Sequence, residues 1–379
     1  MSVQDTGARS EPAQEVYIMG MTHSGHRTSE KWGLDHVEAA IRRLQPDVIV
    51  TEIPPDRFDA AMAGWKRDGR ITEPRVARFP EYTDVVFPLL DELGFVIEPA
   101  AAWTESMNNL RRERIAAFET QAEHAERFQA YTAEVEAIEA AHAADPIDED
   151  DPFVIHSPIY DERTEVALGP YDRYLNDWIG EGGWTNINRG HAELVDAAIR
   201  RHPGKRILVT FGAGHKYWLA RYLASHGIEP MDIHPFLPKT ADLPGPVRVE
   251  REVRALHRFF EGWFRGELPN SDEAYGRFAG ALGERFVIVT PGGVSVERAA
   301  LLEGLRGAHG SRASMTSFAI RVEDVAVQDL GGGSWFVRYE EWQDEDEEVK
   351  GRQSSAVMLE SATAPGGFEW IHVHETWLP

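Results

Sequence analysis

The stretch VYIMGMTH, residues 16–23, decides the fold of the first part of the chain. It is a short apolar run that ends in Gly-x-x-His, and RILVTFGAGH, residues 206–215, has the same form. Both runs are rich in Val and Ile and show little alternation, which is typical of strands buried on both faces. Glycine at Gly20 and Gly212 lets the chain turn sharply at the strand ends. The surroundings of the two segments are dissimilar, so they do not indicate a duplicated domain.

Further apolar runs alternate with segments of helical spacing between these two stretches and just beyond them. The runs are DVIVTEI (47–53), FVIEPA (95–100) and PMDIHPF (230–236). Strands that alternate with helices predict an α/β domain with a mainly parallel sheet. Residues 104–143 contain no Pro or Gly and are rich in Ala and Glu, so they predict one long helix. It opens a helical insertion at about 104–184.

The domain organisation follows from changes in this pattern. We expect a disordered tail at 1–14, the α/β domain at 15–238 and a proline-rich linker at 239–247. Residues 248–379 begin with an amphipathic helix and continue with long alternating strands separated by glycine-rich turns. They predict an α+β domain with a curved antiparallel sheet packed on helices.

Composition excludes several classes of protein. Of the 379 residues, 42% are hydrophobic and 27% charged, and the formal net charge is −24. Such an acidic surface repels phosphate backbones, so we expect no nucleic-acid partner. There is no cysteine, no apolar run long enough to span a membrane and no signal-peptide core at the start of the chain. These features predict a cytoplasmic protein without a membrane partner.

Ionisable residues stand where the predicted strands end. His23 follows the first strand, Glu52 ends the second and His215 follows the fourth. The carboxyl ends of parallel strands meet at one edge of a sheet, where ligands bind. Two imidazoles and one carboxylate suit a divalent metal ion with a fourth position left open for water. Such an ion lowers the pKa of a water molecule bound to it, so that hydroxide is available near neutral pH.

Other ionisable residues lie near this edge without a motif of their own. Glu98 ends the third strand and His234 ends the fifth. His26 stands three residues after His23, as a further ligand or a surface residue. In the hydrolase hypothesis, Glu98 or His26 carries protons.

The segments VYIMGMTHSGHRTS, PDVIVTEIPPDR and RILVTFGAGHKYWLARYL resemble the TraB/Tiki superfamily, which includes the Tiki proteases and relatives of the erythromycin esterases and ChaN-like proteins. The resemblance covers about residues 14–238, and GMTH stands where GTxH is common. It implies a metal-dependent hydrolase of the peptidase or esterase type that acts on a peptide or small molecule.

The resemblance also implies which residues form the site. The matching metal and catalytic positions are His23, Glu52 and His215. Arg57 follows the glutamate by five residues, and the segment TNINRGH supplies Asn186, Asn188 and Arg189, of which Asn188 and Arg189 are preferred. Arg57 or Arg189 is expected to hold a substrate carboxylate or the developing oxyanion.

The second domain resembles the SnoaL-like branch of the nuclear-transport-factor-two-like superfamily. The likeness is carried by ALHRFFEGWFRGEL, ERFVIVTPGG, ALLEGLRGAHG, YEEWQ, GRQSSAVML and GFEWIHVHETWL. It implies a cone-shaped α+β domain whose pocket binds a ligand or which dimerises. Strict alternation in WIHVHETW places His372 and His374 on one face with Trp370. His372, His374 and Arg338 are therefore the pocket candidates.

Three alternatives stay open at this stage. In a metal-free enzyme, one histidine is the general base and Glu52 orients it. In a non-enzymatic protein, the second domain binds a small apolar molecule or the first binds haem. In an interaction protein, the second domain forms a homodimer.

Overall fold

The computed structural model describes residues 14–346 and 348–379. The chain divides into two compact units, Met1–Thr240 and Ala241–Pro379. Each unit has hydrophobic core residues of its own. The disordered tail predicted for residues 1–14 lies, except for its last residue, outside the described residues.

The first unit contains a parallel sheet of four strands. They are β1 (Glu15–Met21), β2 (Val48–Thr51), β3 (Val96–Pro99) and β4 (Arg206–Gly212), in the order β1-β4-β2-β3. Met21 stands opposite Gly212, and Thr51 stands opposite Thr210. The three strands β1, β4 and β2 therefore end close to the same level. The predicted parallel sheet is confirmed.

The predicted fifth strand is wrong. Residues 230–236 contribute a single parallel bridge between Tyr17 and Met231 and then a 3₁₀ turn at His234–Phe236. Pro230 and Pro235 lack the backbone N–H that a longer ladder requires.

Helices cover the first sheet and form the insertion. The helices outside the insertion are α1 (Leu34–Leu44), α2 (Pro55–Asp68), α3 (Phe87–Leu93), α8 (Trp184–Arg200) and α9 (Lys216–Ser225). The insertion contains α4 (Glu105–Thr120), α5 (Ala125–Ala144), α6 (Pro152–Ile155) and α7 (Pro158–Ile179). The single helix predicted over 104–143 is thus two helices. Gln121 ends the first one with an extended backbone, at φ −83° and ψ 131°.

The second unit combines three helices with a sheet of six strands. The helices are α10 (Gly245–Arg265), α11 (Asp272–Ala279) and α12 (Arg298–Gly307). The strands are β5 (Leu282–Val289), β6 (Ser295–Glu297), β7 (Phe318–Gly331), β8 (Ser334–Glu345), β9 (Glu348–Glu360) and β10 (Phe368–Trp377), in the order β6-β5-β10-β9-β8-β7.

Two expectations for this unit need correction. The sheet is mixed rather than antiparallel, because β10 runs parallel to β5. Alternation along a strand shows which face is buried but carries no information on the direction of its neighbour. The linker predicted at 239–247 already contains the start of α10 at Gly245.

Within the described residues, no helix combines the length and apolarity needed to cross a membrane.

His156 joins the insertion to the first strand. Its Nε2 accepts the Gly20 N–H at 2.8 Å, and its Nδ1 donates to the Pro152 carbonyl at 2.6 Å. Burial, which outweighs the effect of the Pro152 hydrogen bond, lowers the pKa of His156 to about 3. The folded protein therefore holds His156 neutral, whereas the unfolded chain protonates it near its ordinary pKa of 6.5.

We predict that His156 makes the protein less stable as the pH falls below about 6.5. The unfolded state then binds one more proton than the folded state, so at pH 5 this residue costs about 2 kcal/mol relative to pH 7. Urea unfolding at both pH values is expected to show a smaller loss for His156→Gln than for the wild type. His226→Gln, at an exposed histidine, is the control. An identical loss in His156→Gln and wild type would contradict the prediction.

Candidate active site

The ends of three neighbouring strands bring His23, Glu52 and His215 together. The Nε2 atom of His23 lies 3.7 Å from Oε2 of Glu52, and Nε2 of His215 lies 3.8 Å from Oε1 of the same carboxylate. Glu52 is 7% exposed. The carboxylate therefore lies between the two imidazoles, with one oxygen near each ring.

Each of the two rings is oriented by a hydrogen bond at its other nitrogen. Nδ1 of His23 donates to Glu81 at 2.6 Å, and Nδ1 of His215 donates to Oδ1 of Asn188 at 2.7 Å. The Asn188 amide is itself fixed, because its nitrogen donates to the Trp184 carbonyl at 2.8 Å. In the neutral rings, both Nε2 lone pairs thus face the region of Glu52. Such outer partners are the usual means of orienting metal-binding histidines.

Backbone and tyrosine groups hold Glu52 in place. The Gly212 N–H donates to Oε2 of Glu52 at 2.8 Å. The Glu52 N–H donates to the hydroxyl of Tyr82 at 2.7 Å, and that hydroxyl donates to the Thr210 carbonyl at 2.8 Å. Tyr82 belongs to the π-helical turn Tyr82–Val86, an element often found at functional sites.

The glycine of the second Gly-x-x-His segment is explained by close approach rather than by an unusual turn. Gly212 has φ −48°, which other residues adopt. A Cβ at this position would lie 2.7 Å from Nε2 of His23. His23 itself has φ 52°, in the left-handed region that is costly for a residue other than glycine. The backbone thus accepts strain where it delivers the imidazole.

The two histidines differ in their affinity for protons. For His23, burial alone lowers the pKa, but the Glu81 hydrogen bond and the charges of Glu81 and Glu52 outweigh it and raise the pKa. For His215, burial prevails over the charge of Glu52 and lowers the pKa. His215 is therefore a neutral ring at neutral pH, and His23 is the ring that a proton occupies first.

His191, on α8, is a residue of this cluster that the sequence did not point out. Within the described residues, the group whose possible ligand atoms all lie within 4.8 Å of one another consists of Glu52, His191 and His215 and does not include His23. Nδ1 of His191 accepts the Ala102 N–H at 2.9 Å, so in the neutral ring the proton is on Nε2. Burial keeps the pKa of His191 well below its ordinary value. His191 accordingly offers a hydrogen-bond donor rather than a lone pair for a metal.

Several polar atoms at the cluster have unused hydrogen-bonding capacity. Within residues 14–346 and 348–379, the buried atoms without a hydrogen-bond partner include Oγ1 of Thr22, Oε2 of Glu81 and Nε2 of His191. Thr22 directly precedes His23, and Glu81 accepts the hydrogen bond from Nδ1 of His23. Leaving such groups unpaired costs about 1–3 kcal/mol each, so a bound ion, water or ligand is the expected partner. The imidazole nitrogens of His23 and His215 and the carboxylate of Glu52 beside these atoms are of the types that bind a divalent metal ion.

The remaining candidates from the sequence lie elsewhere or have other roles. His26 bonds the Thr22 N–H and the Trp32 carbonyl, so both of its nitrogens are occupied by backbone. Glu98 binds Arg201 and His202, and His234 binds Asp232 and the Phe153 carbonyl. These partners account for the polar side-chain atoms of all three residues, and the role of Glu98 or His26 as a proton carrier stays a prediction.

The two predicted arginines are not part of the hydrogen-bonded cluster. Arg57 contacts Glu105 at 3.0 Å and Glu73 at 3.9 Å. Arg189 is exposed, although Asn188 beside it contacts His215. Asn186 bonds the Gly180 carbonyl.

In the second unit, the predicted pocket residues do not line the cavity. Arg338 and His374 are exposed, and a cavity is instead lined by their strand neighbours Tyr339, Val373 and Glu375. The cause on β10 is a register shift between Trp370 and His372. A bulge changes which residues share a face, so Trp370 is buried with Val373 and Glu375 rather than with the histidines. The assignment of Arg338, His372 and His374 to the pocket is therefore wrong.

Comparison with known proteins gives a family match in the second unit. Residues 249–379 match the family described as "Sucrose-6-phosphate phosphohydrolase C-terminal". Sucrose-phosphatase 1 of Nicotiana tabacum is 34% identical over 131 residues, which are 34% of this chain and 30% of that protein. Probable sucrose-phosphatase 1 of Arabidopsis thaliana is 24% identical over 213 residues, 56% of this chain and 45% of that protein. The chain thus spans less than half the length of these relatives.

Solved structures that are similar to part of the chain include several described as NTF2-like. An NTF-2-like protein of unknown function from Pseudomonas aeruginosa is 23% identical, with a TM-score of 0.31, and covers 35% of this chain and 99% of its own. The calcium/calmodulin-dependent kinase II hub of S. rosetta is 15% identical, with a TM-score of 0.28, and covers 35% of this chain and 95% of its own.

We predict that Gly212→Ala destabilises the protein by about 1–3 kcal/mol, because its Cβ overlaps the His23 ring. Gly214→Ala is the matched control, since a Cβ there meets only Trp184, at 3.7 Å. Urea unfolding of the two variants measures the difference. Equal stability of both would contradict the steric role assigned to Gly212.

Proposed function

We propose that the first unit is a hydrolase whose site is the cluster of His23, Glu52 and His215. The observation that carries this proposal is the approach of both Nε2 atoms to one buried carboxylate, at 3.7 and 3.8 Å. The names of the curated relatives support hydrolysis as the general class of reaction. The family match falls within the second unit, so the chemistry of the first unit is argued from its own residues.

A divalent metal ion is the cofactor that these residues fit. His23, His215 and Glu52 would hold it, and when bound it supplies hydroxide near neutral pH. Glu81 and Asn188 keep the two imidazoles in the orientation that exposes Nε2. His191 contributes its Nε2–H, which is suited to stabilise an oxygen that becomes negative during the reaction.

The charges of the cluster favour a neutral carbonyl substrate over a phosphate ester. Two buried carboxylates, Glu52 and Glu81, lie at the cluster, and a divalent ion would compensate them. Arg57 contacts acidic side chains and Arg189 is exposed, so neither provides a preorganised cation for a phosphate dianion. We therefore propose an ester or amide of a small molecule or peptide as the substrate class.

The metal hypothesis predicts about one divalent ion per chain in protein dialysed against Zn²⁺ and then against buffer. His23→Ala and Glu52→Gln are expected to lower the affinity at least about tenfold. His191→Gln and His234→Ala are expected to retain the ion. Because the pKa of His23 is raised, retention falls as the pH falls and the proton displaces the metal.

Elemental analysis of these samples decides between the two forms of the hypothesis. Far less than one ion per wild-type chain would contradict metal dependence and favour the metal-free enzyme, in which Glu52 orients a histidine base. Loss of the ion in His191→Gln would contradict the donor role of that residue.

The substrate hypothesis predicts that p-nitrophenyl acetate is hydrolysed with a kcat/KM at least about tenfold above that for p-nitrophenyl phosphate, a difference of about 1.4 kcal/mol. The two compounds share a leaving group and differ in the charge of the reacting centre. The rate of Glu52→Gln protein is subtracted as background. Faster hydrolysis of the phosphate would overturn the ester assignment and favour a phosphatase, as the names of the relatives suggest.

A further inference from the structure

The second unit encloses a cavity of about 500 Å³. Its walls are largely apolar and come from helices and strands of this unit alone, among them Leu256, Phe260, Phe264, Phe278, Leu301 and Leu305. Ser311, which also lines the cavity, is exposed, so the space is accessible from outside. Cavities of this size and lining hold small organic molecules, oriented by a few polar groups.

One part of the cavity wall carries a buried ionic network. Oε1 of Glu341 accepts hydrogen bonds from Arg352 at 2.6 Å and Gln343 at 2.7 Å. Its Oε2 accepts from Arg352 at 3.0 Å and contacts Nε2 of His257 at 3.1 Å. Glu341 is therefore satisfied by the protein itself and needs no ligand.

Glu375 lies in the same wall but is poorly satisfied. It is 6% exposed, and within the described residues its polar contact is with Nε of Arg352, at 3.3 Å. The same Nε already donates to Glu341. A carboxylate has lone pairs for about four hydrogen bonds, so Glu375 is the acceptor with capacity to spare in this cavity.

The charged side chains of the cavity wall indicate which charge a ligand carries. Two carboxylates, Glu341 and Glu375, share the single guanidinium of Arg352. His257 donates its Nδ1–H to the Val253 carbonyl, and Arg312, a further cation of the lining, is paired with Glu345 at 2.9 Å. An anionic ligand would meet no free cation in this wall, because Arg352, His257 and Arg312 are each paired with a glutamate, and a purely apolar ligand would leave Glu375 without a further donor.

We propose that this cavity binds a small, largely apolar molecule that carries one ammonium group, with Glu375 as its counter-ion. The ammonium donates hydrogen bonds to Glu375, and the apolar part contacts the phenylalanine and leucine side chains. Tyr339 and Trp370, which also line the cavity, present aromatic rings that favour a cation nearby. The proposal does not depend on the hydrolase activity of the first unit.

The test compares two probes of similar shape and opposite charge, 1-naphthylmethylamine and 1-naphthoic acid, by calorimetric titration into the 379-residue chain. The amine is expected to bind at least tenfold more tightly than the acid. Glu375→Gln is expected to weaken amine binding at least tenfold, whereas Glu369→Gln, on the same strand but outside the cavity lining, leaves it unchanged.

Further variants locate the binding. Ala308→Trp, which fills the cavity, is expected to abolish it, and Glu52→Gln, in the first unit, is expected to leave it intact. Equal or tighter binding of the acid by the wild type would overturn the proposal, and this comparison holds even if Glu375→Gln fails to fold. Undiminished binding of the amine by folded Ala308→Trp protein, or no binding of either probe at millimolar concentration, would overturn it as well.

Discussion

The burial of the Glu52 carboxylate is the constraint on which the geometry of the first unit depends. Removing a carboxylate from water costs several kcal/mol unless hydrogen bonds or opposite charges compensate it. Part of the compensation comes from the ends of neighbouring strands, because the Gly212 N–H on β4 donates to Glu52, and His23, whose pKa is raised, lies 3.7 Å from the same carboxylate. A small shift of one strand along another would separate these groups. The geometry of the cluster therefore depends on the register of the strands in the sheet.

Glu81 is a second buried carboxylate of the cluster, next to His23. It is fully buried and bonded to His23, whose raised pKa shows that the ring favours a proton beside two carboxylates. A bound cation would replace that proton without a change in the surrounding hydrogen bonds. The side of the cluster at His215 has a neutral partner, Asn188, and a lowered pKa. In the proposed metal site, this asymmetry makes His23 the imidazole that would have to lose a proton before a metal ion binds.

The sequence predicted the parts of the site that directly follow apolar strands. His23, Glu52 and His215 were found because a buried strand leaves little freedom for the residue at its end. Glu81 and His191 were not found, since they lie in helical segments where a single polar residue is usually a surface residue. His191 does stand three positions after Asn188, on the same face of α8, and that spacing was a signal that could have been used.

Errors in the second unit have a different physical origin. The alternation of side chains along β10 was predicted correctly. A bulge after Trp370, however, places Val373 and Glu375 on the buried face, where the sequence predicted His372 and His374. The parallel pairing of β5 and β10 is equally invisible to alternation. Burial patterns fix local structure, whereas direction and register depend on contacts between segments distant in the chain. The predicted elements were therefore more accurate than the faces and pairings assigned to them.

The degree to which a buried carboxylate is satisfied separates structural from functional candidates in both units. Glu341 accepts from Arg352 and Gln343 and contacts His257, so its charge is balanced by the fold. Glu52 has a hydrogen bond to one backbone N–H, and the two imidazoles are too distant, at 3.7 and 3.8 Å, to donate to it. Folding alone gives no reason to bury an acceptor with unused lone pairs beside two imidazoles. The proposed metal ion, which would bind the carboxylate and both imidazoles, would give such a reason.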